Sequence, residues 1–182
     1  KDNGITPISV DGIDRWPVQR YIAMMPFRMT GNEYIISLRD GKASMGDETG
    51  RQAVEFLQEI GQYFNEGFGA TDYATAQSMF LDGKSAMYYI GDWEQAAMLE
   101  AYNAGKVDYF YLPTAEGAKT GANEFCVNSG IGMAFNTQTF DAKTKDFIKY
   151  VIENYGKIYA GRMQMSPIKT ELPEDIQFTD LY

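Results

Sequence analysis

The side chains that most enzymes use for nucleophilic and acid–base work are sparse in this chain. None of its 182 residues is histidine. That removes Ser-His-Asp and Cys-His nucleophiles, and with them His-ligated zinc and haem. What remains is carboxylate chemistry. Asp11, Asp14, Asp92, Glu94, Asp108, Glu116 and Glu124 fall near predicted turns. A pair of them could serve glycoside hydrolysis, which needs no imidazole. Acidic residues near turns are more often solvated or capping. Asp11, Asp14 and Asp92 could also ligate calcium, but the EF-hand spacing is absent. The single cysteine, Cys126, sits in Phe125-Cys126-Val127 and reads as a buried structural thiol; it cannot close an intrachain disulfide. No cofactor is expected.

Two phosphate-binding patterns fail on inspection. Gly83-Lys84-Ser85 resembles the tail of a P-loop, but position 78 is Ser and a helix leads into a strand there, the reverse of the required order. Gly130-Ile131-Gly132 lacks the third glycine of a dinucleotide fingerprint and lies inside a predicted strand. The aromatics are more informative. Trp16 and Trp93 each stand where a strand has ended and a helix begins, and ligands of open α/β sheets bind outside the carboxyl ends of strands. A flat apolar ring beside a carboxylate suits a sugar. The ring packs on the C–H face of a pyranose while the carboxylate accepts from its hydroxyls. Trp16 has Asp14 nearby, and Trp93 has Asp92 beside it. The alternative is that each Trp is a core anchor with its N–H satisfied.

The elements that must position these residues alternate in type. Residues 5–10 read as a strand entering a turn at Asp11-Gly12. Asp14 is expected to cap a helix with Pro17 in its first turn, stopping near Pro26 because proline cannot donate to the ladder. Residues 28–48 read as loop, with one short strand at Tyr34-Ile35-Ile36. A helix over 50–66 shows Ala53, Phe56, Leu57, Ile60, Tyr63 and Phe64 at helical spacing, with Thr49 and Gln52 as a capping box and Gly67 to end it. A helix over 73–82 opens at Thr71 or Asp72. A buried strand follows at 85–90, and a helix from Trp93 to Asn103. Val107–Leu112 and 130–135 read as strands. Asp141 caps a last long helix ended by Gly156, with a further short helix over 157–165. The alternation predicts an α/β fold.

The balance of residues bounds the class. Hydrophobic types make up 45% and charged types 23%, the mix of a soluble globular protein long enough to bury a core. Sixteen basic against 25 acidic residues give a net charge of −9 with no basic run, which argues against nucleic acid and anionic membrane surfaces. No apolar run approaches a membrane span. Both ends look cut, so a fragment of a longer chain is expected.

Gly4-Ile5-Thr6-Pro7-Ile8 followed by Trp16 is the first piece of a larger pattern. Next comes Ala76-Gln77-Ser78-Met79-Phe80-Leu81-Asp82-Gly83-Lys84-Ser85-Ala86-Met87, running into Gly91-Asp92-Trp93. Then follow Tyr111-Leu112-Pro113, Ser129-Gly130-Ile131-Gly132, and Gly161 through Ser166-Pro167. In that order these resemble family 1 extracellular solute-binding proteins of ABC importers, the sugar-binding proteins related to maltose-binding protein. The stretch from Phe80 to Trp93 is the most specific part.

The resemblance implies a type II periplasmic-binding-protein-like α/β fold, with helices packed on short mixed sheets and a sugar held in a cleft between two lobes. Residues 1–48 and 107–182 would belong to the second lobe, and 49–106 would cross to the first. The implied site is Asp14, Trp16, Gly91, Asp92 and Trp93, with Glu124 and Asn128 on the loop before Ser129-Gly130 as candidates for hydroxyl contacts. Ser129 stands where many members have glycine, which weakens the expectation of close backbone approach there. The implied partners are a carbohydrate and the membrane permease of an importer, with the protein a monomer in the periplasm or a cell-surface lipoprotein. A polyamine or other non-sugar ligand is the alternative within the same class.

Overall fold

A computed structural model describes residues 4–124, 132–162 and Ser166. It divides into two compact units, Lys1–Ile90 with Phe110–Cys126, and Gly91–Tyr109 with Val127–Tyr182.

The first unit is built on β1 (Thr6–Ser9), which pairs in parallel with β2 (Ser85–Tyr88) in the register Thr6↔Ser85, Ile8↔Met87 and Ser9↔Tyr88. Ile8 also bridges in parallel to Phe64. It donates to Tyr63 O at 3.1 Å and accepts from Asn65 N at 3.0 Å. The strand is therefore bonded along both edges, and Ile8 and Val10 are buried. The strands deliver a ring cluster rather than a wide sheet. Tyr21 lies 4.9 Å from Phe64 and 5.2 Å from Tyr89, and Phe64 lies 5.2 Å from Phe68, all at tilted or edge-on angles. Such angles suit aromatic quadrupoles. Burial first, then the neighbouring Tyr89, pushes the Tyr21 phenol above its ordinary range.

Four helices surround β1 and β2. The first, α1 (Trp16–Thr30), packs on α3 (Glu48–Gly61), while α4 (Tyr73–Leu81) packs on both strands. The expectation that α1 stops at Pro26 fails. Pro26 lies inside the helix and is buried, and the helix ends four residues later at Thr30, capped by Gly31, whose φ of 62° only glycine adopts freely and whose N–H donates to Phe27 O at 2.8 Å. Thr30 Oγ1 donates to Pro26 O at 2.8 Å. Two residues past the proline, Arg28 makes tertiary hydrogen bonds from the same helix.

Residues 33–39 are also not loop with a strand. They form α2 (Glu33–Arg39), anchored by the buried Tyr34, whose hydroxyl donates to Ser44 O at 2.8 Å and Asp47 Oδ1 at 2.9 Å. Ile35 and Ile36, which suggested the strand, are exposed. The same Asp47, rather than Thr49, caps α3 by accepting from Gly50 N at 3.0 Å. Bonds from Gly50 N, Ser44 N and the Tyr34 hydroxyl hold its carboxyl below the usual range. Gly67 does not close α3; it opens a 3₁₀ turn over Phe68–Ala70. Asp72 caps α4 as expected, accepting from Thr75 N at 2.7 Å.

In the second unit, Asp92–Glu94 form a 3₁₀ turn that runs into α5 (Gln95–Asn103). The last helix, α6 (Ala142–Ala160), is capped by Asp141 through Thr144 N at 2.8 Å. It continues through Gly156, which is buried, so the expected break into two helices does not occur. Val107–Leu112 takes no strand partner among the described residues. Its Leu112 carbonyl is instead taken by a side chain. The expected strand over 130–135 lies partly outside the described residues; Gly132–Phe135 carries no ladder.

Candidate ligand-binding site

The loop that leaves β1 carries Asp14 and Trp16, and three polar residues fix its course. Val10 N donates to Asn65 Oδ1 at 2.8 Å, and Asn65 Nδ2 donates to Thr71 Oγ1 at 2.8 Å. Gly12 N and Ile13 N both donate to Thr71 O, at 3.1 and 3.3 Å. Gly12 sits so close to the 68–69 backbone that a Cβ there would overlap the Phe68 carbonyl. Asp11 follows, 1% exposed, and its Oδ1 accepts from Asp14 N at 3.1 Å.

Asp11 therefore closes the turn expected at Asp11-Gly12 by binding the Asp14 amide. Asp14 does not cap α1. Its carbonyl accepts from Trp16 N at 2.7 Å, and Arg15 between them is held at φ 65°, the one non-glycine residue at positive φ among those described. Such a conformation costs of order 1 kcal/mol or more and persists only where surrounding bonds impose it. With the side chain freed from capping, the Asp14 carboxyl is exposed beside the start of α1. Its pKa is raised by the hydrogen bond to the Asp11 carboxyl, then by desolvation, then by the negative charges of Asp11 and Asp72.

The sign of that shift makes a prediction. A raised acid disfavours the folded state where it is ionised, and the penalty disappears as pH falls below its ordinary value. Asp14→Asn should raise the melting temperature at neutral pH, with the gain closing as pH approaches 3. A gain that is flat with pH would show that the carboxyl is not under this strain.

Trp16 is half-buried. Its ring lies 5.9 Å from Tyr73 at 35°, and the Arg20 guanidinium stands 5.3 Å from its centroid. Neither neighbour was singled out in the sequence. Arg20 follows Trp16 by one helical turn, a spacing that could have revealed it. Tyr73 comes from α4, placed by the Asp72 cap, and no local signal links it to Trp16.

In the second unit Gly91 is extended at φ −92° and ψ 172°. Any residue can adopt that backbone, so the glycine is there for another reason. A Cβ on it would overlap the Trp93 ring at Cζ3 and Cη2. The indole lies across the glycine backbone, which accounts for the Gly-x-Trp spacing. Trp93 is half-buried, Asp92 is exposed and Glu94 is buried. Gly91→Ala should therefore displace the indole. A changed near-ultraviolet dichroism and about tenfold weaker ligand binding in the full-length protein are expected, on the scale of one interface side chain losing its seat. An unchanged spectrum would rule out this packing.

Glu124, in the first unit, is exposed, and its Oε1 accepts from Gly121 N at 2.6 Å, closing a tight turn. Its carbonyl accepts from Arg28 Nη1 at 2.8 Å. Asn128 lies outside the described residues. The first unit thus brings Asp14 and Trp16 together on one turn, with Tyr73 and Arg20 against the ring. Gly91, Asp92 and Trp93 form a second cluster in the other unit. Among the described residues no group of three or more Asp, Glu or Cys could hold a metal, and no helix is long and apolar enough to cross a membrane.

Residues 9–180 match the family described as bacterial extracellular solute-binding protein, and the chain belongs to it. Family membership places the protein outside the cytoplasm.

Relatives include an uncharacterized ABC transporter extracellular-binding protein of Pyrococcus horikoshii, 26% identical over 117 residues, 64% of this chain and 26% of the relative. A probable sugar-binding periplasmic protein of Brucella suis is 25% identical over 123 residues, 66% of this chain and 29% of the relative. The chain thus spans less than a third of the curated relatives it matches. A solved structure from work on xylan utilization by Caldanaerobius polysaccharolyticus superposes with a TM-score of 0.59 at 29% identity, covering 66% of this chain and 32% of that one. A chitin oligosaccharide binding protein, at 22% identity and TM-score 0.57, covers 64% of this chain and 30% of its own length and shares the fold.

Proposed function

We propose that the protein captures a carbohydrate in a cleft between two lobes and delivers it to the permease of an ABC importer. The observation that carries this reading is the turn after β1, where a half-buried Trp16 and an exposed Asp14 stand side by side, held by Asp11, Asn65 and Thr71. A ring takes the apolar face of a pyranose, and a carboxylate takes its hydroxyls. Trp93 with Asp92 repeats the combination. Residues 1–48 and 107–182 are read as second-lobe segments and 49–106 as the crossing to the first. Closure on the sugar generates the form that the transporter recognises. The protein works as a monomer and without covalent chemistry.

One observation favours a second ligand class. The Asp14 carboxyl feels the negative charges of both Asp11 and Asp72, a field that would also welcome a cation such as a polyamine. A thermal-shift panel on the full-length protein separates the two. Neutral saccharides should raise the melting temperature and polyamines should not; the reverse result would replace the carbohydrate reading by the cationic one.

A further inference from the structure

We propose that Arg28 is a positioning residue for ligand binding: its buried guanidinium clamps segment 112–124 onto α1 and so sets the path of the chain that carries Glu124. The proposal rests on the carbohydrate reading for its ligand. Its geometry stands apart from that reading.

Arg28 is 5% exposed although it carries a charge that is seldom buried. Its Nη1 donates to Gly121 O at 2.6 Å, Glu124 O at 2.8 Å and Thr120 Oγ1 at 3.2 Å, and its Nη2 donates to Leu112 O at 2.7 Å. The segment answers through its own backbone: Lys119 N and Thr120 N donate to Arg28 O at 2.9 and 3.3 Å. Among the described residues the guanidinium makes no ion pair, and its four acceptors are neutral oxygens. A rigid planar fork can collect carbonyls from both ends of a thirteen-residue segment, and a flexible ammonium cannot.

The segment has little else to hold it. Among the described residues it joins no strand ladder, and Gly121 to Glu124 are exposed. None of its residues belongs to the core cluster of Ile8, Val10, Tyr21 and Phe64. Backbone carbonyls held away from water need a partner, and here one side chain supplies three, besides the Thr120 hydroxyl. Losing that side chain should release the segment while β1, α3 and the ring cluster stay in place. A general structural role would loosen all of them together.

The test uses the full-length protein and two readouts. In Arg28→Met, amide hydrogen exchange over 112–124 should rise by at least tenfold, while exchange over β1 and α3 stays within twofold. Affinity for the saccharide identified by the thermal-shift panel should fall about tenfold. Arg28→Lys should recover part of both, since an ammonium reaches some of the carbonyls. If Arg28→Met does not fold, Thr120→Val removes one acceptor and should give the same pattern at smaller amplitude.

Unchanged exchange over 112–124 overturns the clamp. A freed segment with affinity within twofold of the unaltered protein overturns the positioning role. The exchange readout needs no ligand. If the unaltered protein binds no saccharide, the carbohydrate reading fails on its own while the exchange result still decides the clamp.

Discussion

Trp93→Ala in the full-length protein lowers saccharide affinity by about 10- to 100-fold, read by calorimetric titration. The magnitude follows from what the ring can do. A Trp side chain buries roughly 150–250 Å² on full contact, and aromatic anchors at binding surfaces commonly carry more than about 2 kcal/mol each. Each 1.4 kcal/mol or so is a factor of ten in affinity. Trp93 is half-buried and backed by the Gly91 backbone, so the ring is held in one place before any ligand arrives. A preorganised ring loses little entropy on binding. Asp92 is exposed and could be shielded by water without its partner, so Asp92→Asn should cost less than the Trp. An affinity within twofold of the unaltered protein for Trp93→Ala would remove Trp93 from the site.

Phe64→Ala should destabilise the protein by about 3–5 kcal/mol, the range for deleting a large buried ring and leaving a cavity. Phe64 is 4% exposed and stands between Tyr21 and Phe68, at 4.9 and 5.2 Å. Its backbone bridges to Ile8, and the next residue, Asn65, orients Val10 at the head of the site loop. The variant therefore weakens both the core and the turn that holds Trp16. Denaturant unfolding measures the loss. A change under 1 kcal/mol would mean that the ring cluster is not the core of the first unit.

The parts of this architecture that were legible in the sequence are those specified locally. β1 and β2 are short apolar runs flanked by turn residues, and they form where expected. Asp72 and Asp141 cap their helices because an Asp oxygen reaches the amide three residues on without help from elsewhere. Gly83 and Gly105 take positive φ just after helices, as glycine can.

What was missed depends on distant residues. Pro26 reads as a stop, yet α1 continues through it, and Arg28 two residues on finds acceptors 84 to 96 residues away. α2 forms over a strand-like Tyr-Ile-Ile because the Tyr34 hydroxyl binds the turn before α3. The capping box at Thr49 lost to Asp47 for the same reason: the Tyr34 hydroxyl and Ser44 N both bind the Asp47 carboxylate. At the site, Trp16 was legible as a ring at a helix mouth. The division of labour between Asp11 and Asp14 was not, since it turns on Asn65 and Thr71. Arg28 gave no signal at all, because nothing local distinguishes a buried arginine from a solvated one.

Isothermal titration of the full-length protein with neutral mono- and oligosaccharides tests the central claim most directly. The account predicts saturable one-to-one binding of at least one saccharide, which is recovered uncleaved, with heat that is lost or much reduced in Trp93→Ala. Saturation by polyamines with none by saccharides, or cleavage of the titrated sugar, would contradict it.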